Sequence, residues 1–328
     1  MKLKPFVPGI AVVLGSLLFA TDAVFRERAL RVLDARAVGF LEHGIAFLSL
    51  LPWVFTKRRV EVGQPLRARS GKVSRTDIFL FLAIGLGGSA LGNTFFTVAV
   101  GKIGGAGATL FTMLQPAFVL VFAWFFLKER FSSFFGPCAV WVVLNMILLS
   151  YSQTARSELP MMDENPEALS GTLYACLATL IWGGSTVAGK ALLNRYPNSV
   201  VLIWRWAIAF VFLGAVVFVK DVPLPWHRIF TAEVFLPLLY LGVVAQTVAY
   251  WIYYVGLRQL PASLTTFIEL LYPLVGMFLA LGDTGQGVTP LQVFAALTLL
   301  IAISLLLGVE YPRAVGLGKK SAHAPERF

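Results

Sequence analysis

Residues 105–127, GAGATLFTMLQPAFVLVFAWFFL, and residues 262–281, ASLTTFIELLYPLVGMFLAL, stand in register 157 positions apart. Each is an apolar run of roughly the 20 residues needed to cross the hydrocarbon core of a bilayer. Each also carries hydroxyls and a proline partway along, and the offset pairs Thr109 with Thr266, Leu114 with Leu271 and Pro116 with Pro273. The same offset pairs Gly85 with Gly242 and Leu148-Leu149 with Leu305-Leu306. Further upstream an offset of 163 pairs Leu17 with Leu180, Val24 with Val187, Leu30 with Leu193, Ile45-Ala46-Phe47 with Ile208-Ala209-Phe210 and Val54-Phe55 with Val217-Phe218. A proline inside an apolar span and consecutive identities held at constant offset, with one indel between them, mark an internal repeat.

Working outward from these two runs, apolar segments recur at 6–25, 37–55, 78–101, 105–127, 133–151, 171–192, 199–219, 233–256, 262–281 and 290–309. The runs are continuous rather than alternating, and lipid leaves no partner for free backbone groups, so helices are predicted rather than a barrel. The expected fold is an all-α membrane protein of ten transmembrane helices arranged as two inverted five-helix repeats. The boundaries read 1–151 for the first repeat, 152–170 for an acidic connector, 171–309 for the second repeat and 310–328 for a basic tail.

An odd number of spans per repeat forces the second copy to insert upside down. Loop charge agrees with this. With the N-terminus inside, one face collects 18 basic residues, among them the cluster Lys57, Arg58, Arg59, Arg67, Arg69, Lys72 and Arg75. The other collects 8, and its connector carries Glu158, Asp163, Glu164 and Glu167. The positive-inside rule then puts both termini in the cytoplasm.

Composition supports a membrane solvent: 58% of residues are hydrophobic and 13% charged, and the mean hydropathy is +0.78. A soluble domain carries about a quarter charged residues. The net charge of +10 is therefore read as cytoplasmic loop charge facing membrane lipid, with no nucleic-acid partner. Lys2 and Lys4 ahead of an apolar stretch and Ala20-Thr21-Asp22-Ala23 resemble a secretory signal. The repeat partner of that stretch favours a first transmembrane helix. Cys138 and Cys176 fall inside apolar runs, and His43, His227 and His323 are scattered, so no metal or cofactor is expected. The stretch Gly184 to Ala191 comes close to a phosphate loop but lacks its final hydroxyl and its preceding strand. No nucleophile and base stand at catalytic spacing, which argues against an enzyme.

Two five-helix halves, the Trp182-Gly183-Gly184-Ser185 turn, an arginine partway down the seventh span and the prolines of the fourth and ninth spans together resemble the EamA family of the drug/metabolite transporter superfamily. The resemblance covers nearly the full length. It implies a bacterial inner-membrane carrier of amino acids, other metabolites or drugs, with a central cavity between the halves. The acidic residue expected after the fourth span is present in Leu127-Lys128-Glu129-Arg130, whereas the second copy reads Gly282-Asp283-Thr284-Gly285-Gln286.

Ionisable groups at bilayer depth cost about 2.5–3.5 kcal/mol each on insertion scales, so those retained face a cavity or a partner. Glu42 and Arg205 are equivalent by the 163 offset and either bind solute or pair with each other. Glu269 shares one helix face with Thr266, Pro273 and Gly276, repeated by Thr109, Thr112 and Pro116. Gln246, Tyr250 and Tyr253 form a matching stripe opposite Ser89, Asn93 and Phe96, and Phe19 is the equivalent of Trp182. The candidate substrate-binding residues are accordingly Glu42, Arg205, Glu269, Trp182, Phe19, Asn93, Phe96, Thr112, Gln246, Tyr250 and Tyr253. Asp22 is expected to reach the cavity, and Arg26 and Glu27 to snorkel at the interface. Gly88 to Gly92 reads as a close helix contact.

These residues predict a secondary transporter, acting as an exporter, for small amphipathic molecules and first of all amino acids. Arg205 would hold a carboxylate, Glu269 or Glu42 an ammonium, and Glu269 is also a candidate carrier of a coupling proton. The competing readings are a transporter of a nucleotide-linked or phosphorylated metabolite and a non-carrier pore. Against the phosphorylated solute, Arg205 alone among the basic residues is read as lying deep in a helix, where a dianion calls for two cations.

Overall fold

The computed structural model describes residues 6–55, 73–129, 133–154, 166–283 and 288–315. Lys2, Lys4, the basic cluster from Lys57 to Lys72, the acidic Glu158, Asp163 and Glu164, and the tail beyond 315 lie outside the described residues. Within them all regular structure is helical. Six helices are long and apolar enough to cross a membrane by length and composition: Val7–Leu30, Arg75–Thr112, Glu167–Leu193, Asn198–Val219, Ala232–Gln259 and Pro290–Ala314. Gln115–Leu127, Phe135–Asn145 and Ala262–Gly276 are shorter apolar helices. Large apolar side chains such as Phe79, Trp124, Phe126, Val211 and Phe218 stand exposed on the outside, which suits lipid and not water.

Several spans that read as unbroken in sequence are jointed. The first divides into α1 (Val7–Phe19) and α2 (Asp22–Leu30), and α3 is Ala35–Phe55. After α4 (Arg75–Leu82) the chain widens into π-type turns over Ala83–Gly92 before α5 (Asn93–Thr112). The fourth span breaks at Met113, so that α6 (Gln115–Phe122) starts with Pro116 in its first turn, where a missing N–H costs nothing. Then follow α7 (Phe135–Thr154), α8 (Pro166–Leu193), α9 (Asn198–Val219), the short α10 (Trp226–Ile229) and α11 (Ala232–Leu239). A further π-type stretch, Tyr240–Val248, leads into α12 (Ala249–Gln259). The chain ends in α13 (Ala262–Glu269), α14 (Leu271–Asp283) and α15 (Pro290–Ala314). Two boundaries expected from the sequence move: helix already covers 166–170 of the acidic connector, and α15 runs on to Ala314.

Local chemistry accounts for the ends. Ser74 and Thr289 cap α4 and α15 with reciprocal bonds to Asp77 and Gln292, which satisfies N–H groups that a helix start leaves free. Gly104 takes φ 73° inside α5, a turn that a Cβ would oppose, and it lies 157 positions from the Pro261 turn ahead of α13. The π-type stretches Ala83–Gly92 and Tyr240–Val248 begin 157 positions apart as well, and a shorter π-type stretch, Ala123–Leu127, follows α6.

Packing runs mainly between the halves of the chain. The principal helix pairs are α5 with α8, α1 with α12, α3 with α9 and α7 with α15, followed by α6 with α8 and α5 with α14. Bare glycines let α1 and α12 touch: a Cβ on Gly256 would come within 2.5 Å of the Pro8 carbonyl oxygen, and one on Gly15 within 2.9 Å of Tyr253 Cβ. Gly256→Ala is therefore expected to destabilise the fold by about 1–3 kcal/mol, the usual cost of overpacking. Gly136→Ala, where a Cβ meets nothing within 4 Å, should leave the midpoint of thermal unfolding in detergent unchanged.

Candidate functional site

Several of the joints border one cavity among the helices. Its walls come from both halves: α1, α2, α5 and α6 on one side, and α8, α9, α12, α13 and α14 on the other. The break after Phe19 turns that ring against Tyr250, Tyr253 and Tyr272, with centroids 4.8, 5.7 and 6.4 Å away and edge-on geometry throughout. Across the cavity Trp182 packs on Phe96 at 5.1 Å and donates its Nε1 hydrogen to the Gly88 carbonyl at 2.9 Å.

Arg205 of α9 is 3% exposed. Its Nε donates to Ser89 Oγ at 2.7 Å, its Nη1 to the Tyr254 hydroxyl at 2.8 Å and its Nη2 to the Tyr250 hydroxyl at 3.2 Å. The guanidinium also stacks over the Tyr250 ring at 4.4 Å, a cation–π contact that helps hold a desolvated charge. Among the described residues no carboxylate forms an ion pair with it. Glu269 at the end of α13 is the converse. Its Oε2 accepts from the Tyr253 hydroxyl at 3.0 Å and from Gln115 Nε2 at 3.2 Å, with no cation paired to it among those residues.

The charges around Arg26 form a self-contained unit. Arg26 of α2, 1% exposed, donates Nε and Nη2 to the Asp22 carboxylate at 2.6 and 2.8 Å. Its Nη2 and Nη1 also reach Glu42 at 3.0 and 3.3 Å, and Nη1 reaches Thr97 Oγ1 at 2.8 Å. Asn93 Nδ2 adds a bond to Glu42 at 3.2 Å. One guanidinium thus presents its five N–H groups to two carboxylates and a hydroxyl. Such paired, fully bonded charges are the form in which ionised groups tolerate burial.

A model of the EamA-like transporter family matches residues 8–151 and 169–308. The chain belongs to the EamA-like transporter family. It is accordingly a multi-pass membrane protein of a family that moves small solutes. The riboflavin transporter ImpX of Fusobacterium nucleatum subsp. nucleatum is 25% identical over 300 residues, covering 90% of this chain and 95% of that one. Human solute carrier family 35 member G1 is 25% identical over 214 residues, which cover 63% of this chain and 54% of that protein. A solved crystal structure overlays with a TM-score of 0.68 at 18% identity, covering 97% of this chain and all of the other, and supports the shared fold.

In this EamA-like transporter the cavity gathers Phe19, Asn93, Phe96, Trp182, Arg205, Gln246, Tyr250, Tyr253 and Glu269 of the residues read from the sequence. Two fall elsewhere. Glu42 is wholly buried behind Arg26 and Asn93, so it neither pairs with Arg205 nor faces the cavity. Thr112 turns its hydroxyl back to the Thr109 carbonyl of its own helix and lines a narrow crevice with Glu269 and Thr266. The interfacial placement of Arg26 is also corrected. Arg26 lines the cavity, and Glu27 accepts the Gly105 N–H that the Gly104 turn sets free. Tyr254, Tyr272 and Gln115 were not singled out in the sequence. The Asp22/Arg26 spacing of four, which puts both on one helix face one turn beyond Phe19, was the available signal for the ion unit.

Removing Arg26 would leave two carboxylates buried with no cation. Arg26→Ala is expected to cost about 3–5 kcal/mol and to lower the unfolding temperature in detergent. The double variant Arg26→Gln, Glu42→Gln should recover part of that loss, because it replaces a stranded charge by an amide pair.

Proposed function

We propose that this protein is a secondary transporter that carries small amphipathic metabolites, amino acids and related compounds first among them, out across a bacterial inner membrane by alternating access. The observation that carries the reading is the split charge of the cavity: an arginine without a carboxylate on one wall, a glutamate without a cation on another, and aromatic rings between them. A zwitterion bearing an apolar side chain complements all three. Its carboxylate would face Arg205 and its ammonium Glu269, while Glu42 is excluded as a ligand because its oxygens are already engaged.

Ten spans in two inverted repeats, with both termini cytoplasmic, complete the proposal. Its supports are the π-type stretches and turns that recur at the 157 offset, helix pairs that map onto one another when the halves are exchanged, and the basic bias of one set of loops. A phosphorylated solute is disfavoured on a revised ground. Two guanidiniums line the cavity, but the N–H groups of Arg26 are all taken up by Asp22, Glu42 and Thr97.

The likeness to ImpX favours a second reading, in which a planar ring solute such as riboflavin lies between the aromatic walls. Uptake into proteoliposomes separates the two with l-tryptophan, tryptamine and riboflavin as solutes. Arg205→Ala should lower tryptophan uptake at least tenfold, about 1.4 kcal/mol or more, and spare tryptamine, whereas Glu269→Gln should impair both amines. Wild-type rates and selectivity in both variants would overturn the zwitterion assignment. A proton role for Glu269 requires wild-type uptake to respond to an imposed pH gradient and Glu269→Gln to lose that response.

A further inference from the structure

The indole of Trp182 sits in a groove that the chain leaves open for it. A Cβ placed on Gly92 would lie 2.7 Å from Trp182 Nε1 and 2.9 Å from its Cδ1. Non-bonded heavy atoms rest at roughly 3.5–4.0 Å, so the pyrrole edge of the ring fills the space that a side chain at position 92 would take. One turn earlier, the Gly88 carbonyl accepts the Nε1 hydrogen at 2.9 Å. The surroundings are tight as well. Phe96 packs on the indole at 5.1 Å, and a Cβ on the next residue, Gly183, would come within 2.8 Å of Phe118 Cβ, so α8 is already in contact with α6 there. What remains of the indole borders the cavity.

The backbone itself does not require glycine at position 92. Gly92 has φ −59° and ψ −49°, helical values that any residue adopts. Glycine inside a helix costs about 0.5–1 kcal/mol relative to alanine, so its presence needs another reason. The repeat supplies the comparison. The 157 offset sets Ala249 at the place of Gly92, and the 163 offset sets Phe19 at the place of Trp182. Ala249, at φ −62° and ψ −48°, carries a methyl on the same backbone. The larger ring with an N–H thus goes with glycine, and the smaller ring without one goes with alanine. Phe19 is held instead by the rings of Tyr250, Tyr253 and Tyr272.

We propose that Gly92 is a positioning residue for solute selection: by ceding its side-chain space to Trp182 it seats the indole against Gly88 and fixes that wall of the cavity. With the N–H spent on the backbone, the wall meets a solute ring by apolar contact and gives it no hydrogen bond. This deepens the reading of the cavity as a solute site with aromatic walls and rests on it. An alanine methyl at position 92 would drive the indole off the groove by about 1 Å, break its bond to Gly88 and shift the wall. Gly88 has a different neighbour, since a Cβ there would sit 2.6 Å from Ser185 Cβ.

The test is uptake of l-tryptophan and riboflavin into proteoliposomes by the full-length protein. For whichever of the two the wild type carries, Gly92→Ala should raise KM about tenfold with kcat nearly unchanged, the mark of lost binding rather than of a damaged carrier. Adding Trp182→Phe should return KM to the value of the Trp182→Phe single variant, because the repeat already pairs the smaller ring with alanine. Gly88→Ala, whose methyl would meet Ser185, should not be restored by Trp182→Phe. Unfolding temperatures in detergent follow the same proteins, so a Gly92→Ala variant that fails to fold is read by its recovery in the double variant. A wild-type KM in Gly92→Ala, a defect undiminished in the double variant, or equal rescue of Gly88→Ala overturns the proposal. Uptake of neither solute by the wild type removes the solute-site reading together with it, whereas uptake that is indifferent to Gly92→Ala removes the proposal alone.

Discussion

Charge that cannot reach water governs the arrangement of this protein. Arg26 is held between Asp22 and Glu42, and every N–H of its guanidinium is directed at an oxygen. In lipid there is no substitute for those bonds, so α2, α3 and α5, which supply the partners, are fixed relative to one another. That unit forms the fixed wall against which the cavity is built. Arg205 is treated differently: hydroxyls and a ring face hold it, which steadies the side chain without neutralising its charge. One cavity thus borders both a compensated and an uncompensated guanidinium.

The backbone supplies the second constraint. Spans that a hydropathy reading draws as rods are divided after Phe19, across Ala83–Gly92, at Gly104, at Met113 and across Tyr240–Val248. The joints after Phe19, at Met113 and across Tyr240–Val248 bring Phe19, Gln115 and Gln246 to the cavity, and π-type turns are a recurrent way of re-aiming side chains at functional positions. Regular helices would have buried these groups against neighbours or shown them to lipid.

Much of this was legible in the residues. Apolar runs of membrane length, the two prolines and the constant offsets gave the helical fold and the stripes bearing Gln246, Tyr250 and Glu269, because such patterns are local and repeat. What was not legible depended on distant partners. Arg26 closes an apolar run and so resembles an interfacial residue. Only Glu42 and Thr97, 16 and 71 positions away, explain its burial. Thr112 carries the right chemistry on a plausible face, yet a short hop to its own backbone withdraws it. The π-type turns change no residue pattern, which is why their effect on facing was invisible.

The distribution of these bonds along the chain bears on how the molecule is made. Asp22, Arg26, Glu42, Asn93 and Thr97 all belong to the half that leaves the ribosome first. Every bond of that unit therefore closes within the first half. Arg205 arrives later and takes Ser89 from the earlier half together with two tyrosines that follow it. The two cations thus differ in reach: one is housed by a single half of the chain, and the other has a home only where the two halves meet.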